Sequence, residues 1–263
     1  MKVIQSIDSL VKGETKINAG AVYPYDVVRS VKNGDRVVAN EQWKALPDFI
    51  ESGKSFLPLI DVSPSMETKV SGSTTAMDVA ISLGIYVAQR SKSEAFRDTF
   101  LTFSGNPDFV DIEGLDFASA YDKTVRSPWG GTTNFTKAYM KILNLAVHHN
   151  VPQSDLPEYL IVFSDMQFDN ARGSYSYGNF QGDFVMDNIR ESFHNHGYNV
   201  PKMVFWDLVD YGTNTHASHD DEDVALVSGF SPSTMKTILA DVEQYTPMNV
   251  MLNAIMDERY NWQ

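Results

Sequence analysis

Cysteine is absent from all 263 residues. That excludes disulfides, thiolate catalysis and cysteine-ligated zinc. Long apolar runs are missing too. No stretch approaches the ~18 apolar residues of a membrane helix, and the opening MKVIQSIDSLVKGE holds no apolar segment long enough for a secretory signal. The expectation is a soluble, cytoplasmic chain with no membrane partner. Basic residues are in deficit: 21 Lys and Arg stand against 34 Asp and Glu, a formal net charge of −13. Such a surface repels phosphate backbones at long range and suits divalent cations. There is no G-x-x-x-x-G-K-[ST] loop for nucleotide phosphates, no internal repeat and no low-complexity tract.

What is present is core-forming material. Hydrophobic residues make up 43% and aromatics 12%, enough to bury a full interior. Residues 1–54 mix short helical pieces with turn signals such as KNGD at 32–35, and NEQWKALPDFIESG reads as a short helix interrupted by Pro47. They are expected to form an N-terminal appendage packed on a main domain of residues 55–263.

From Ser55 onward strands and helices alternate. FLPLIDV is a continuous apolar run of the kind covered on both faces, with Pro58 placing its expected start at Leu59. TAMDVAISLGIYVAQRS carries apolar residues at helical spacing. RDTFLTFSG and DFVDIEG predict a hairpin turning at Asn106–Pro107. The helix NFTKAYMKILNLAVHHN follows, with Phe135, Ala138, Tyr139, Ile142, Ala146 and His149 on one face. EYLIVFSD, PKMVFWDL and DVALVSG predict three more strands. Between and after them come GDFVMDNIRESFHNHG, SPSTMKTILADVEQY and a last helix over about 247–260. This order implies an α/β fold: a doubly wound, mostly parallel central sheet with helices on both faces, Rossmann-like in plan.

Ligands of such sheets bind beyond the carboxyl ends of the strands. Three oxygen-bearing residues, Asp61, Ser63 and Ser65, follow the first strand at alternate positions. Asp165 ends a second strand in VFSDMQFD, and WGGTTNF supplies threonines in a Gly-rich turn just before a helix. Carboxylates and hydroxyls are hard donors, which select Mg²⁺ or Mn²⁺ over zinc. Few charges around the ion would leave it net positive and open to an anionic ligand from outside.

Acid, two serines, a threonine and a second acid, in that order, resemble the metal-ion-dependent adhesion site of the von Willebrand factor A domain. DVSPSM is similar to the usual D-x-S-G-S-M form, with Pro64 in place of glycine. KINAGAVYPYDVV, AMDVAISLG, WGGTTNF and FSDMQFD resemble a family of uncharacterised function from plants and viruses. That family is related to the Ro autoantigen, an RNA-binding protein with a helical-repeat ring and an A domain. The resemblance implies that Ser63 and Ser65 coordinate the metal directly, and that Asp61 and Asp165 act through water. It implies a threonine ligand at Thr132 or Thr133, with Thr133, next to Asn134, the choice. The implied function is non-enzymatic: a Mg²⁺ or Mn²⁺ ion bridging to a carboxylate on a protein partner, with self-assembly a further option. RNA binding and a structural role inside a virion are the alternatives. RNA is the less favoured, because the long helical module is largely missing ahead of residue 55.

NARGSYSYGNFQGDF puts Tyr175, Tyr177 and Phe180 on a Gly-rich loop after the Asp165 strand, a composition suited to partner contact. THASHDDEDV reads as a solvated acidic loop rather than a second metal site. His148, His149, His194 and His196 close helices, where a cation suits the dipole. A metal-dependent phosphatase of the haloacid-dehalogenase type needs an acid two residues after Asp61, and that position holds Ser63.

Overall fold

The structure is a computed structural model, and it describes residues 22–50, 53–127, 134–165, 182–209 and 224–240. Among the described residues two helices come first, α1 (Pro24–Lys32) and α2 (Arg36–Lys44). The KNGD turn separates them, with Gly34 at φ 84°, where a side chain would be strained. The strand–helix series follows: β1 (Phe56–Ile60), the short β2 (Lys69–Ser71) and β3 (Thr74–Thr75), α3 (Ala76–Arg90), β4 (Thr99–Thr102), β5 (Phe109–Asp111), α4 (Phe117–Val125), α5 (Phe135–His149), β6 (Tyr159–Ser164), α6 (Gly182–Asn195), β7 (Lys202–Asp207), β8 (Val224–Ser228) and α7 (Pro232–Ala240).

Six strands form one sheet in the order β5-β4-β1-β6-β7-β8. All neighbours are parallel except β4 and β5, which form the expected hairpin with Thr99 opposite Asp111. The fold is thus α/β with a mostly parallel sheet and helices around it. The apolar runs of the central strands alternate between two cores. Phe56 and Ile60 of β1, Ile161 and Phe163 of β6, and Trp206 of β7 face α1, α2, α3, α4 and α7. Leu57 and Leu59, Leu160 and Val162, and Phe205 face α5 and α6. Burial on both faces explains why these strands read as unbroken apolar runs.

Pro58 lies inside β1, not before it. Asp61 N–H donates to Phe163 O of β6, so by strand alternation Leu59 and Leu57 also turn their N–H groups toward β6. Pro58 turns toward β4, whose pairing with β1 begins only at Leu59. A missing donor at that position breaks no rung. His149 is exposed, off the buried face that Ala138, Tyr139, Ile142 and Ala146 share. The expected last helix over about 247–260 lies outside the described residues.

Residues 22–50 are continuous with the first core. Val27 and Ala39 are fully buried there. Trp43 stacks on Phe117 with ring centroids 3.8 Å apart and donates its indole N–H to Gln89 at 2.7 Å. The Tyr86 hydroxyl donates to Pro47 O at 2.7 Å and accepts the Phe49 N–H at 2.8 Å. Among the described residues no helix is long and apolar enough to cross a membrane.

Candidate metal centre

From β1 the chain goes to β4 on one side. From β4 it returns, through α5, to β6 on the other side of β1. The strand order therefore reverses between β1 and β6, and ligand crevices open outside the carboxyl ends of strands at such a switch point. Asp61 follows β1 and Asp165 follows β6, both 2% exposed.

The turn after β1 explains the spacing of Asp61, Ser63 and Ser65. The Ser63 N–H donates to Asp61 Oδ1 at 2.8 Å, closing an Asx turn. A 3-10 helix over Pro64–Glu67 then begins, with the Met66 N–H donating to Ser63 O at 3.0 Å. Proline suits the first position of such a turn, where its fixed φ helps and its missing N–H has no partner to lose. Pro64 is therefore compatible with the turn although the usual form has glycine. Met66, fully buried, pins the turn to the core. The result brings the Ser63 and Ser65 hydroxyl oxygens to 3.0 Å of each other, both half-buried.

Residue type and spacing alone do not mark Ser164 as a site residue. It is fully buried at the end of β6, and its hydroxyl donates to Asp61 Oδ2 at 2.6 Å. Ile60 pairs with Phe163, so the next residues, Asp61 and Ser164, are neighbours across the strands. The Ser–Asp dipeptide at the end of a buried strand was the available signal. Each carboxylate oxygen of Asp61 thus already accepts one hydrogen bond. Burial pushes the Asp61 carboxyl up from its ordinary value, the bonds from Ser164 and Ser63 pull it down, and the charge of Asp165 pushes it up again.

Two buried acids that feel each other's charge, beside two converging hydroxyls, fit a hard divalent cation. The ion would offset the repulsion and complete its shell with water. Among the described residues no three His, Asp or Glu side chains gather into a group able to hold a metal, so a cation here depends on the serine donors. Thr132 and Thr133 lie outside the described residues, as do Tyr175, Tyr177, Phe180 and all of THASHDDEDV but its final valine, Val224. Asn134, which follows the threonines, caps α5 by accepting the Lys137 N–H at 2.9 Å, and its own N–H donates to Ser104 O just past β4.

Residues 55–259 match the family model described as a domain of unknown function, DUF7788. The chain is 27% identical over 261 residues to the uncharacterized protein L728 of Acanthamoeba polyphaga mimivirus, covering 95% of this chain and 42% of that protein. Its fold is similar to the crystal structure of the Deinococcus radiodurans RO (RSR) protein, with a TM-score of 0.54 and 15% identity. The match covers 92% of this chain and 48% of that one. The chain therefore spans less than half the length of each. The structural neighbour fits the Ro relation expected from sequence, and at this identity it shows the fold alone.

Proposed function

The chain belongs to the DUF7788 family, a domain of unknown function, and from that premise we propose that it is a non-enzymatic, metal-dependent protein-binding module. Asp61, Ser63, Ser65, Asp165 and Thr133 would hold Mg²⁺ or Mn²⁺, and the ion would supply a positive, exchangeable site for a carboxylate of a partner protein. The observation that carries this reading is the 3.0 Å approach of the Ser63 and Ser65 hydroxyls at the switch point of the sheet, beside buried acids. Ser63 and Ser65 would contribute neutral oxygens, which leave the ion electron-poor toward an incoming anion. Asp61 would act by orienting the turn. Its two oxygens accept the Ser63 N–H and the Ser164 hydroxyl, which hold it between the turn and β6.

Affinity capture in Mg²⁺, in EDTA and with Ser63→Ala tests the proposal. The captured polypeptide should be lost in both controls, and also when its own contacting Asp or Glu is changed to Ala. Capture unaffected by EDTA or by Ser63→Ala would refute it.

RNA binding is the alternative, carried by the Ro relation. Two of the basic residues available to it are engaged with acids: Lys32 Nζ lies 2.6 Å from Asp78, and Arg36 Nη1 2.7 Å from Asp122. A salt-sensitive RNA mobility shift would favour this reading instead.

A further inference from the structure

We infer that Ser164 is the positioning residue of this centre, holding Asp61 across the switch point so that the Ser63–Ser65 turn keeps its shape; as a statement about metal affinity it rests on the reading above. Asp61 is locked to β6 twice. Its N–H donates to Phe163 O at 3.0 Å, and its Oδ2 accepts the Ser164 hydroxyl at 2.6 Å. Its other oxygen, Oδ1, accepts the Ser63 N–H. One carboxylate therefore links the end of β6 to the turn after β1. Its two hydrogen-bonded partners, Ser164 and Ser63, are about 100 residues apart in the chain, as the separation of 103 between Asp61 and Ser164 requires.

Ser164 is well placed for that task. Its backbone is fixed by pairing with Asp207 of β7, and its carbonyl accepts the Leu208 N–H at 2.9 Å. The hydroxyl thus comes from a central strand, a more rigid support than a loop. Without it, Asp61 Oδ2 loses this donor in a buried setting. The carboxylate then keeps the Ser63 N–H bond but loses its side-chain anchor to β6, so the Ser63 amide and the Ser63–Ser65 contact are held less firmly. A merely structural serine would stabilise the core without affecting that turn.

Ser164→Ala and Ser164→Thr distinguish the two, with Ser82→Ala as control. Ser82 is fully buried and its hydroxyl donates to Val79 O at 3.0 Å, away from the centre. The first readout is amide hydrogen exchange at Ser63 in EDTA. Ser164→Ala should speed it about tenfold, a loss of protection of the size expected for one hydrogen bond, and Ser164→Thr should not. The second is Mg²⁺ affinity by calorimetry. It should fall roughly 10–100-fold in Ser164→Ala, as for other residues that orient a ligand, recover in Ser164→Thr and stay unchanged in Ser82→Ala. Ser63 exchange and Mg²⁺ affinity both at wild-type values in Ser164→Ala would overturn the inference. If the wild type takes up no Mg²⁺, the metal reading fails and the exchange measurement alone decides whether Ser164 holds the turn. If Ser164→Ala does not fold, Ser164→Cys, a weaker donor of similar size, carries the comparison, and wild-type behaviour there overturns the inference equally.

Discussion

Gly84 of α3 passes so close to Ile60 of β1 that a methyl group on its Cα would lie 2.3 Å from Ile60 Cδ1. The helix backbone at Gly84 packs directly on the side chain of Ile60, the residue that precedes Asp61. Glycine is required there for space, since its φ is not in the left-handed region.

Gly84→Ala should therefore destabilise the fold by about 1–3 kcal/mol, the usual cost of overpacking. Urea unfolding measures it. Adding Ile60→Val, which removes Cδ1, should recover part of the loss, because the two residues share one contact.

The N-terminal helices contribute to the same core, and Trp43 tests how firmly. Trp43→Ala removes the stacked partner of Phe117 and the indole bond to Gln89. A loss of about 3–5 kcal/mol in urea unfolding is expected, as for a large buried aromatic. A segment merely resting on the surface would lose far less.

Tyr86 gives the joint between that segment and α3 a pH signature. Burial is the main cause that pushes its hydroxyl up to about 12 from its ordinary value of 10.0. The folded phenol keeps its proton where the unfolded one releases it. Between pH 10 and about 12 the folded chain binds more protons, so this stabilisation is full below pH 10 and lost as pH rises through that window. Wild type should exceed Tyr86→Phe in stability by a constant margin up to pH 10, and the margin should shrink toward pH 12. Tyr25 and Tyr121, also pushed up by burial, cancel in the comparison.

Much of the architecture is visible in pattern alone. The unbroken apolar runs of β1, β6 and β7, the β4–β5 hairpin and the helical spacing of α3 are local signals, and each forms the element it predicts. What escapes is set by position in the sheet. Pro58 breaks a strand rule, yet is tolerated because of which neighbour its nitrogen faces. Ser164 bonds Asp61 only because the register places Phe163 opposite Ile60. Gly84 fits the helical face by spacing, but its closeness to Ile60 depends on how α3 settles on the sheet. In the candidate centre, Asp61, Ser63, Ser65 and Asp165 are recognisable from residue type and spacing at strand ends. The residue that ties Asp61 to β6 is not.

The choice between adjacent threonines is directly testable. Thr133→Ala should abolish Mg²⁺ uptake by calorimetry, while Thr132→Ala should leave it within about twofold, since only the former removes a proposed ligand. The reverse result would assign the ligand to Thr132.

Electron paramagnetic resonance of free Mn²⁺ tests the central claim most directly. With wild-type protein added, the free-ion signal should fall by one equivalent at saturation, excess Mg²⁺ should restore it, and Ser63→Ala should leave it untouched. A free Mn²⁺ signal unchanged by the wild-type chain would contradict the account.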